Sequence, residues 1–260
     1  MNIDIFIPAR LDSFRLPKKH LKEIEGKPII KLLIDRLKKA KKIRHIIVCT
    51  TDQNYDDPLI EFLKENNILY FRGNEKDVLI RFLNAAKHFG TDIIIDVEGD
   101  KIYTDPRYVD KIAIEMVNSN LDFVMGSNSS HKIDHSNHSI AAVFPAGIRT
   151  TSLQKVCSLK KITVTETGYR EFFTSNKLFN CKYIKPIINT KIPNNLRLTL
   201  DYQEDYELAK EIFKELGNDF YFEDILQLLH KKPQLLKITK PAIKKWKENY
   251  EKNITNFSIN

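Results

Sequence analysis

The sequence predicts an α/β protein with a mostly parallel β-sheet and helices on both faces. Short β-branched runs alternate with amphipathic segments along the first half of the chain, and this order is typical of strand–helix–strand units. The strand-like runs are apolar at consecutive positions, as expected for strands buried on both faces. Ligands bind such sheets beyond the carboxyl ends of the strands, so the loops that follow the predicted strands are the places to search for a site.

The elements follow in chain order. Residues 3–7 form an apolar run ended by Pro8, and Pro28 opens an amphipathic helix to about residue 42. The later strands are predicted at 45–50, 69–71, 93–97, 121–125 and 196–200 from their β-branched or apolar runs. The later helices are predicted at 58–66, 77–89, 106–119, 203–216 and 222–231 from their helical periodicity.

The domain organisation is predicted from length and pattern. The 260 residues are most simply one α/β domain over residues 1–239. Within it, residues 127–195 give mixed signals and are predicted to form a small mixed lobe or a dimerisation arm. Residues 240–260 form a basic C-terminal tail.

Composition excludes several classes of protein. A hydrophobic fraction of 42% and a charged fraction of 29% rule out general disorder. Three well-separated cysteines argue against a disulfide scaffold and a structural zinc site. We expect no signal peptide ahead of the strand at Ile3, no membrane span and a cytoplasmic protein. The net charge of +8 permits a polyanionic partner, but no nucleic-acid-binding motif accompanies it, so the lysine-rich faces are interpreted as solvated surface.

The loop after the first strand is rich in cations. Residues 8–19 read PARLDSFRLPKK and carry Arg10, Arg15, Lys18 and Lys19. Forked and point-charge donors at the end of a strand suit a triphosphate. Neither of the common glycine-rich phosphate motifs is present, and a plain basic surface loop is the alternative.

Two aspartates follow apolar runs far apart in the sequence. Asp100 comes after Val97-Glu98-Gly99, and Asp201 comes after Arg197-Leu198-Thr199-Leu200. Carboxylates at the ends of two buried strands can share one magnesium ion, which binds phosphates with the help of one or two carboxylates. Helix or turn capping is the alternative for both.

Several segments together resemble one protein family. IPARLDSFRLPKKHL, EGKPII, FRGNEKDVLIRF, IDVEGDKIYTDP and LRLTLDYQEDYELAKEI occur in this order. They resemble the cytidylyltransferases of surface polysaccharide biosynthesis, with the spore coat polysaccharide type nearest and the 3-deoxy-manno-octulosonate cytidylyltransferases more distant. The resemblance covers about residues 3–125 and 195–238.

The resemblance implies a fold, a reaction and a set of residues. The fold is that of the nucleotide-diphospho-sugar transferases. An acceptor oxygen attacks the α-phosphorus of CTP, which releases pyrophosphate and requires Mg²⁺, in an enzyme that is a homodimer. The residues implied in catalysis are Arg10, Arg15, Lys19 and Asp100, and those implied in metal binding are Asp100 and Asp201. The residues implied in nucleotide binding are Pro8, Ala9, Arg10, Arg15, Lys19, Thr51, Arg72, Gly73, Asp77 and Val78. Arg81 is expected to pair with Asp77 from the next helical turn.

The acceptor side departs from the family pattern. Lys101 and Ile102 stand where a small or acidic residue and a proline are usual, so Lys101 is predicted to bind an extra negative group on an anionic acceptor. Arg149, Arg170 and Arg197 are further candidates for anion binding. The acceptor is interpreted as an acidic sugar for surface glycan assembly. The alternatives are a phosphorylated or phosphonate acceptor, a nucleotide-binding homologue without turnover, and a nucleic-acid-binding protein.

One histidine cluster has a metal-like spacing. His131, Asp134, His135 and His138 lie in a stretch rich in serine and asparagine, which we interpret as a solvated loop. Contact with the acceptor and metal binding are the alternatives.

Overall fold

The computed structural model describes residues 1–127, 142–165, 169–175, 177–186, 188 and 191–253, with side chains as far as residue 248. The strands in these ranges are β1 (Ile3–Pro8), β2 (Glu23–Ile24), β3 (Lys27–Pro28), β4 (His45–Thr51), β5 (Leu69–Gly73), β6 (Ile93–Asp96), β7 (Phe123–Gly126), β8 (Ala146–Arg149) and β9 (Cys181–Ile184). The α-helices are α1 (Ile29–Leu37), α2 (Asp57–Glu65), α3 (Val78–Phe89), α4 (Pro106–Asn118), α5 (Thr150–Leu159), α6 (Glu171–Thr174), α7 (Gln203–Leu216), α8 (Phe222–Lys231) and α9 (Lys240–Asn253).

Seven of the described strands form one sheet in the order β5-β4-β1-β6-β8-β7-β9. The strands β5, β4, β1 and β6 are parallel to one another, while β8 runs antiparallel to both of its neighbours. β2 and β3 pair as a separate small hairpin. The predicted α/β fold with a mostly parallel sheet is therefore confirmed, and β8 and β9 from the middle of the chain extend this sheet.

The sheet is buried on both faces. Along β1, Ile5 and Ile7 belong to one apolar cluster while Phe6 belongs to the other, and all three are fully buried. Because successive side chains of a strand point to opposite faces, this alternation shows that each face has its own core. Helices α1, α4, α7 and α8 cover the first face, and helices α3 and α5 cover the second.

The segment before Asp201 corrects one prediction. Residues 196–200 do not form a strand. Instead the N–H of Leu200 donates to the carbonyl oxygen of Asp100 at 3.1 Å. A single backbone hydrogen bond to the loop after β6 replaces the expected strand ladder, yet it still brings the two aspartate-containing segments side by side.

The start of the C-terminal tail packs on the domain. Ala242 of α9 is fully buried, and Lys245 forms an ion pair with Glu204 of α7 at 2.6 Å. Within the described ranges, no helix combines the length and the apolar character that crossing a bilayer requires.

Candidate active site

A cavity of about 410 Å³ opens beyond the carboxyl ends of β1 and β6. It is the place where a sheet of this kind binds ligands. Seven of the predicted site residues line it: Pro8, Ala9, Arg10, Arg15, Lys19, Val78 and Asp100. The loop after β1 and the loop after β6 thus form two walls of one cavity.

The loop after β1 is anchored on both sides of its tip. Leu11 and Leu16 are buried, and the N–H of Leu11 donates to Asp56 Oδ1 at 2.6 Å. The N–H of Lys18 donates back to the carbonyl oxygen of Leu11 at 3.2 Å. Lys18 itself adopts a left-handed conformation with φ 52°. The anchored loop delivers the next residue, Lys19, to the cavity floor.

Lys19 joins the two predicted metal ligands. Its ammonium group donates to Asp100 Oδ2 at 2.9 Å and to Asp201 Oδ1 at 3.3 Å, and also to the carbonyl oxygen of Leu200. Both carboxylates therefore face one point. Burial by itself would lower the pKa of Lys19, but the charges of Asp100 and Asp201 outweigh it and raise this pKa.

Asp201 is held by three cations. Arg15 donates to Oδ1 at 2.8 Å, and Arg197 donates to Oδ2 at 2.9 Å. Burial would raise the pKa of Asp201, yet Lys19, Arg15 and Arg197 together lower it to about 2. Arg197 is 1% exposed and also contacts Asp205, whose carboxylate accepts the backbone N–H of Asp201 at 3.0 Å. Asp201 is thus ionised and fixed in place.

Asp100 is the less satisfied of the two carboxylates. Its Oδ1 is buried without a hydrogen-bond partner in the described structure. Burial and the neighbouring charge of Asp201 raise its pKa, while Lys19 opposes this. Gly99 precedes it in a tight space, because a Cβ there would lie 2.6 Å from the His20 ring. Gly99 therefore lets the loop pass close to His20.

These residues fit a divalent cation. Two carboxylates converge on one point that a positive group, the Lys19 ammonium, already contacts. The partnerless Oδ1 of Asp100 is a hard oxygen donor of the kind that magnesium prefers. Because Mg²⁺ at nucleotide sites uses one or two carboxylates together with phosphate oxygens, this pair matches that requirement.

The structure reveals a charged cluster that the sequence did not predict. Asp96, at the end of β6, is fully buried and accepts a hydrogen bond from the hydroxyl of Tyr169. Two residues later, Glu98 accepts from Lys101 at 3.1 Å and from Arg170. Glu98 and Tyr169 line the cavity. The alternating carboxylates of the segment IDVEGD are a sequence pattern from which a charged cluster could have been predicted. No sequence pattern links these carboxylates to their remote partners Tyr169 and Arg170.

Two acceptor predictions need correction here. Lys101 is 2% exposed and its ammonium is paired with Glu98, so it does not meet the cavity directly. Arg197 is buried beneath Asp201 and acts on that carboxylate. The nearby Arg170 is partly exposed, but it too is paired with Glu98. The cations expected to bind an acceptor anion are neutralised within the protein.

Arg149 also needs correction, because it lies at the other end of the sheet. It pairs in register with Ile93, the first residue of β6, whereas the cavity lies beyond the last. Its guanidinium donates to the carbonyl oxygens of Leu121, Met116 and Ser119 at 2.9–3.2 Å. Met116 lies in the last turn of α4, and Ser119 and Leu121 follow it, where the helix supplies no backbone donors to carbonyl groups, which explains the arginine.

We predict that Arg149→Lys destabilises the protein without changing its chemistry. Lysine cannot reach three carbonyl groups at once, so the free energy of unfolding should fall by about 1–3 kcal/mol. Urea denaturation measures this loss. The affinity for nucleotide and for any acceptor should remain that of the wild type. A raised KM for either would show that Arg149 contributes to binding and would contradict this prediction.

Four of the predicted nucleotide-binding residues are not among those that line the cavity: Thr51, Arg72, Gly73 and Asp77. The hydroxyl of Thr51 donates to Asp56, and Arg72 donates to the carbonyl oxygens of Thr51 and Gln53 and to Asp57. The carbonyl oxygen of Gly73 accepts from the N–H of Asp52 at 3.0 Å. These contacts hold together the loop between β4 and α2 at the neighbouring strand ends.

The side chain of Asp77 forms structural hydrogen bonds. It caps α3 by accepting the N–H of Ile80 at 3.1 Å, and it also accepts from Thr165 and Lys160. The sequence predicted Arg81 as its partner and missed Lys160, which comes from the segment after α5. Arg81 lines the cavity. The histidine cluster His131, Asp134, His135 and His138 lies outside the described residues.

The buried Asp96 predicts a pH dependence of stability. Burial and the charge of Glu98 raise the pKa of Asp96 to about 7. Since the folded state then holds a proton that the unfolded state releases near pH 4, the unfolding free energy contributed by this group falls between about pH 4 and pH 7. Asp96→Asn removes this dependence of the unfolding free energy on pH. The variant should therefore gain stability relative to wild type by a few kcal/mol across this range, at roughly 1.4 kcal/mol per pKa unit.

Urea denaturation at four pH values between 5 and 8 checks this prediction. Asp4→Asn is the control, because Asp4 is equally buried at the opposite end of the sheet and is paired with Arg44 and Thr91. Parallel pH curves for wild type and Asp96→Asn would contradict the prediction.

Comparison with known proteins confirms the predicted family. The cytidylyltransferase family model matches residues 5–225. An uncharacterised protein of Methanocaldococcus jannaschii is 32% identical over 92% of this chain and 94% of its own. The spore coat polysaccharide biosynthesis protein SpsF of Bacillus subtilis is 26% identical over 90% of this chain and 96% of its own. A solved cytidylyltransferase from Leptospira borgpetersenii superposes with a TM-score of 0.79 at 26% identity, covering 91% of this chain and 97% of its own. The protein thus belongs to the cytidylyltransferase family, and it is a nucleotidyltransferase.

Proposed function

We propose that the protein transfers CMP from CTP to an acidic sugar or a related acceptor, with release of pyrophosphate, in the assembly of a surface glycan. One observation carries the proposal: the Lys19 ammonium contacts both Asp100 and Asp201 at the floor of a cavity lined by Arg10 and Arg15. Cations and paired carboxylates within one cavity are the parts that transfer from a nucleoside triphosphate requires.

The loop after β1 binds the triphosphate in this proposal. Arg10, Arg15 and Lys19 supply its positive charge, and the backbone of Pro8 and Ala9 lies near the base. An acceptor hydroxyl attacks the α-phosphorus, the bond to pyrophosphate breaks, and the hydroxyl proton is released. Positioning of the two reactants accounts for about 7–11 kcal/mol of the barrier in favourable cases. The loop cations stabilise the charge that develops on the leaving pyrophosphate.

Asp100 and Asp201 are the residues that would hold Mg²⁺. When bound, the ion supplies charge neutralisation at the phosphate oxygens. Asp201 is kept ionised by Lys19, Arg15 and Arg197, while Asp100 keeps one oxygen without a protein partner. Arg197 and Asp205 act as positioning residues that orient Asp201.

The wider role rests on relatives. SpsF is named for spore coat polysaccharide biosynthesis, which supports a glycan role. We also propose a homodimer in the cytoplasm. CTP is available there, and the reducing environment keeps cysteines such as the three free ones in the thiol form. A phosphorylated or phosphonate acceptor is the alternative substrate.

The test is pyrophosphate release with CTP, Mg²⁺ and a panel of acceptors that includes 3-deoxy-manno-octulosonate. We expect release that depends on CTP, on the metal and on an acceptor, and little with UTP or ATP. Crystals soaked with CTP and Mg²⁺ should show the triphosphate against Arg10, Arg15 and Lys19. Binding of oligonucleotides that falls steeply with salt and is unaffected by CTP would contradict the proposal.

A further inference from the structure

Glu98 is a cavity-lining carboxylate to which the reaction above assigns no role. It follows β6 by two residues, and its side chain is 35% exposed, whereas its neighbour Asp96 is fully buried. It lines the same cavity as Asp100, and the two carboxylates are close enough to influence each other electrostatically. It therefore faces a ligand placed beside Asp100.

Two cations contact Glu98 from the protein side. Lys101 donates to Oε1 at 3.1 Å, and Arg170 donates to the same oxygen. In the described part of the chain, no ion pair involves Oε2. The two ion pairs fix the carboxylate in place at one oxygen and leave the other oxygen for a ligand.

This arrangement changes what the cavity offers an acceptor. Lys101 is 2% exposed and the side chain of Arg170 is 17% exposed, so the surface presented is the carboxylate rather than the cations. A hydroxyl or ammonium group can donate to it favourably. A phosphate placed there meets a like charge, and like-charge juxtaposition is a strong means of rejecting a wrong partner.

We propose that Glu98 is a specificity-determining residue for the acceptor. Its carboxylate accepts hydrogen bonds from hydroxyl or ammonium groups, and its negative charge excludes an acceptor that carries a phosphate or phosphonate at this place. The inference rests on the proposed function, because it assumes that the acceptor lies beside Asp100. A role as a third ligand of a preformed metal site is not supported, since no group of three or more metal-binding side chains occurs among the described residues.

The first experiment needs no known acceptor. Inorganic phosphate is titrated calorimetrically into wild type, Glu98→Gln and the control Glu171→Gln, with and without saturating CTP and without magnesium. Glu171 is the first residue of α6 and directly follows Arg170, but it is not among the residues that line the cavity. We expect Glu98→Gln to bind phosphate about tenfold more tightly than wild type, the scale of one close charge interaction near a protein surface. Glu171→Gln should match wild type in its affinity for both phosphate and CTP.

The second experiment compares acceptors in pyrophosphate release. Wild type should use the hydroxyl-rich 3-deoxy-manno-octulosonate in preference to glucose 1-phosphate. Equal phosphate affinity of wild type and Glu98→Gln, or efficient use of glucose 1-phosphate by wild type, would overturn the proposal. Failure of wild type to bind CTP would overturn the proposed function instead, and the difference in phosphate binding between the variants would still report on Glu98.

Discussion

Replacing Asp100 with asparagine should lower kcat/KM by at least about 10²–10³-fold while leaving the protein folded. The change removes one of two carboxylates that face the Lys19 ammonium, and the loss of one preorganised charge at a transferring phosphoryl group has consequences of this size. Asp201→Asn should have a similar effect on turnover. Pyrophosphate release measures both, and calorimetry should show that the increment in CTP affinity due to Mg²⁺ disappears.

The two variants should differ in stability. The pKa of Asp100 is raised in the fold, so its neutral replacement costs little. Asp201 pairs with the fully buried Arg197, so Asp201→Asn should cost roughly 3–5 kcal/mol. Asp219→Asn, at an exposed ion pair with Lys39, is the control and should change neither property. Full turnover by Asp100→Asn would refute the metal assignment.

Lys19→Met should be the most damaging change in the loop after β1. It removes the cation shared by Asp100 and Asp201 and leaves a partly buried and a buried carboxylate facing each other. We expect the CTP affinity to fall by about 10²-fold or more, since a buried charge-assisted contact contributes several kcal/mol. The unfolding free energy should fall by about 3 kcal/mol. Calorimetry with CTP and urea denaturation measure the two losses.

Lys18→Gly is the matched control for this loop. Lys18 is exposed and has a left-handed backbone, which glycine adopts without steric cost. The variant removes the same formal charge one position away, so it should retain CTP affinity and gain up to about 1 kcal/mol of stability. If Lys18→Gly lost as much affinity as Lys19→Met, the general charge of the loop rather than the position of Lys19 would be responsible.

The sequence predicted well the parts of the fold that depend on local pattern. α7 and α8 begin and end at the predicted residues, because their periodicity and flanking residues are local signals. The parallel strands up to β6 were equally visible as β-branched runs. The hairpin of β2 and β3, and the strands β8 and β9, were missed, since each is short and depends on pairing with distant partners.

The site residues also divide into those that local sequence predicts and those that depend on distant partners. The motifs predicted the loop cations and the pair of Asp100 and Asp201. Arg10, Arg15, Lys19 and Asp100 line one cavity, and Lys19 contacts both Asp100 and Asp201. Lys101 is neutralised by Glu98, three residues earlier, whereas the second cation on the same carboxylate, Arg170, lies far along the chain and could not be foreseen. Charge in a sequence does not reveal which charges the fold has already paired.

The hydrogen bond from Leu200 to Asp100 has a consequence for biosynthesis. Asp201, one of the two proposed metal ligands, lies on a segment that leaves the ribosome only after about three-quarters of the polypeptide has been translated. A nascent chain with a finished β1–β6 region already displays the cationic loop but lacks its second aspartate and the Arg197–Asp205 support. In the proposed reaction, catalytic competence is therefore acquired late, when the C-terminal quarter docks. Products truncated before that point should bind nucleotide at most, without turning it over.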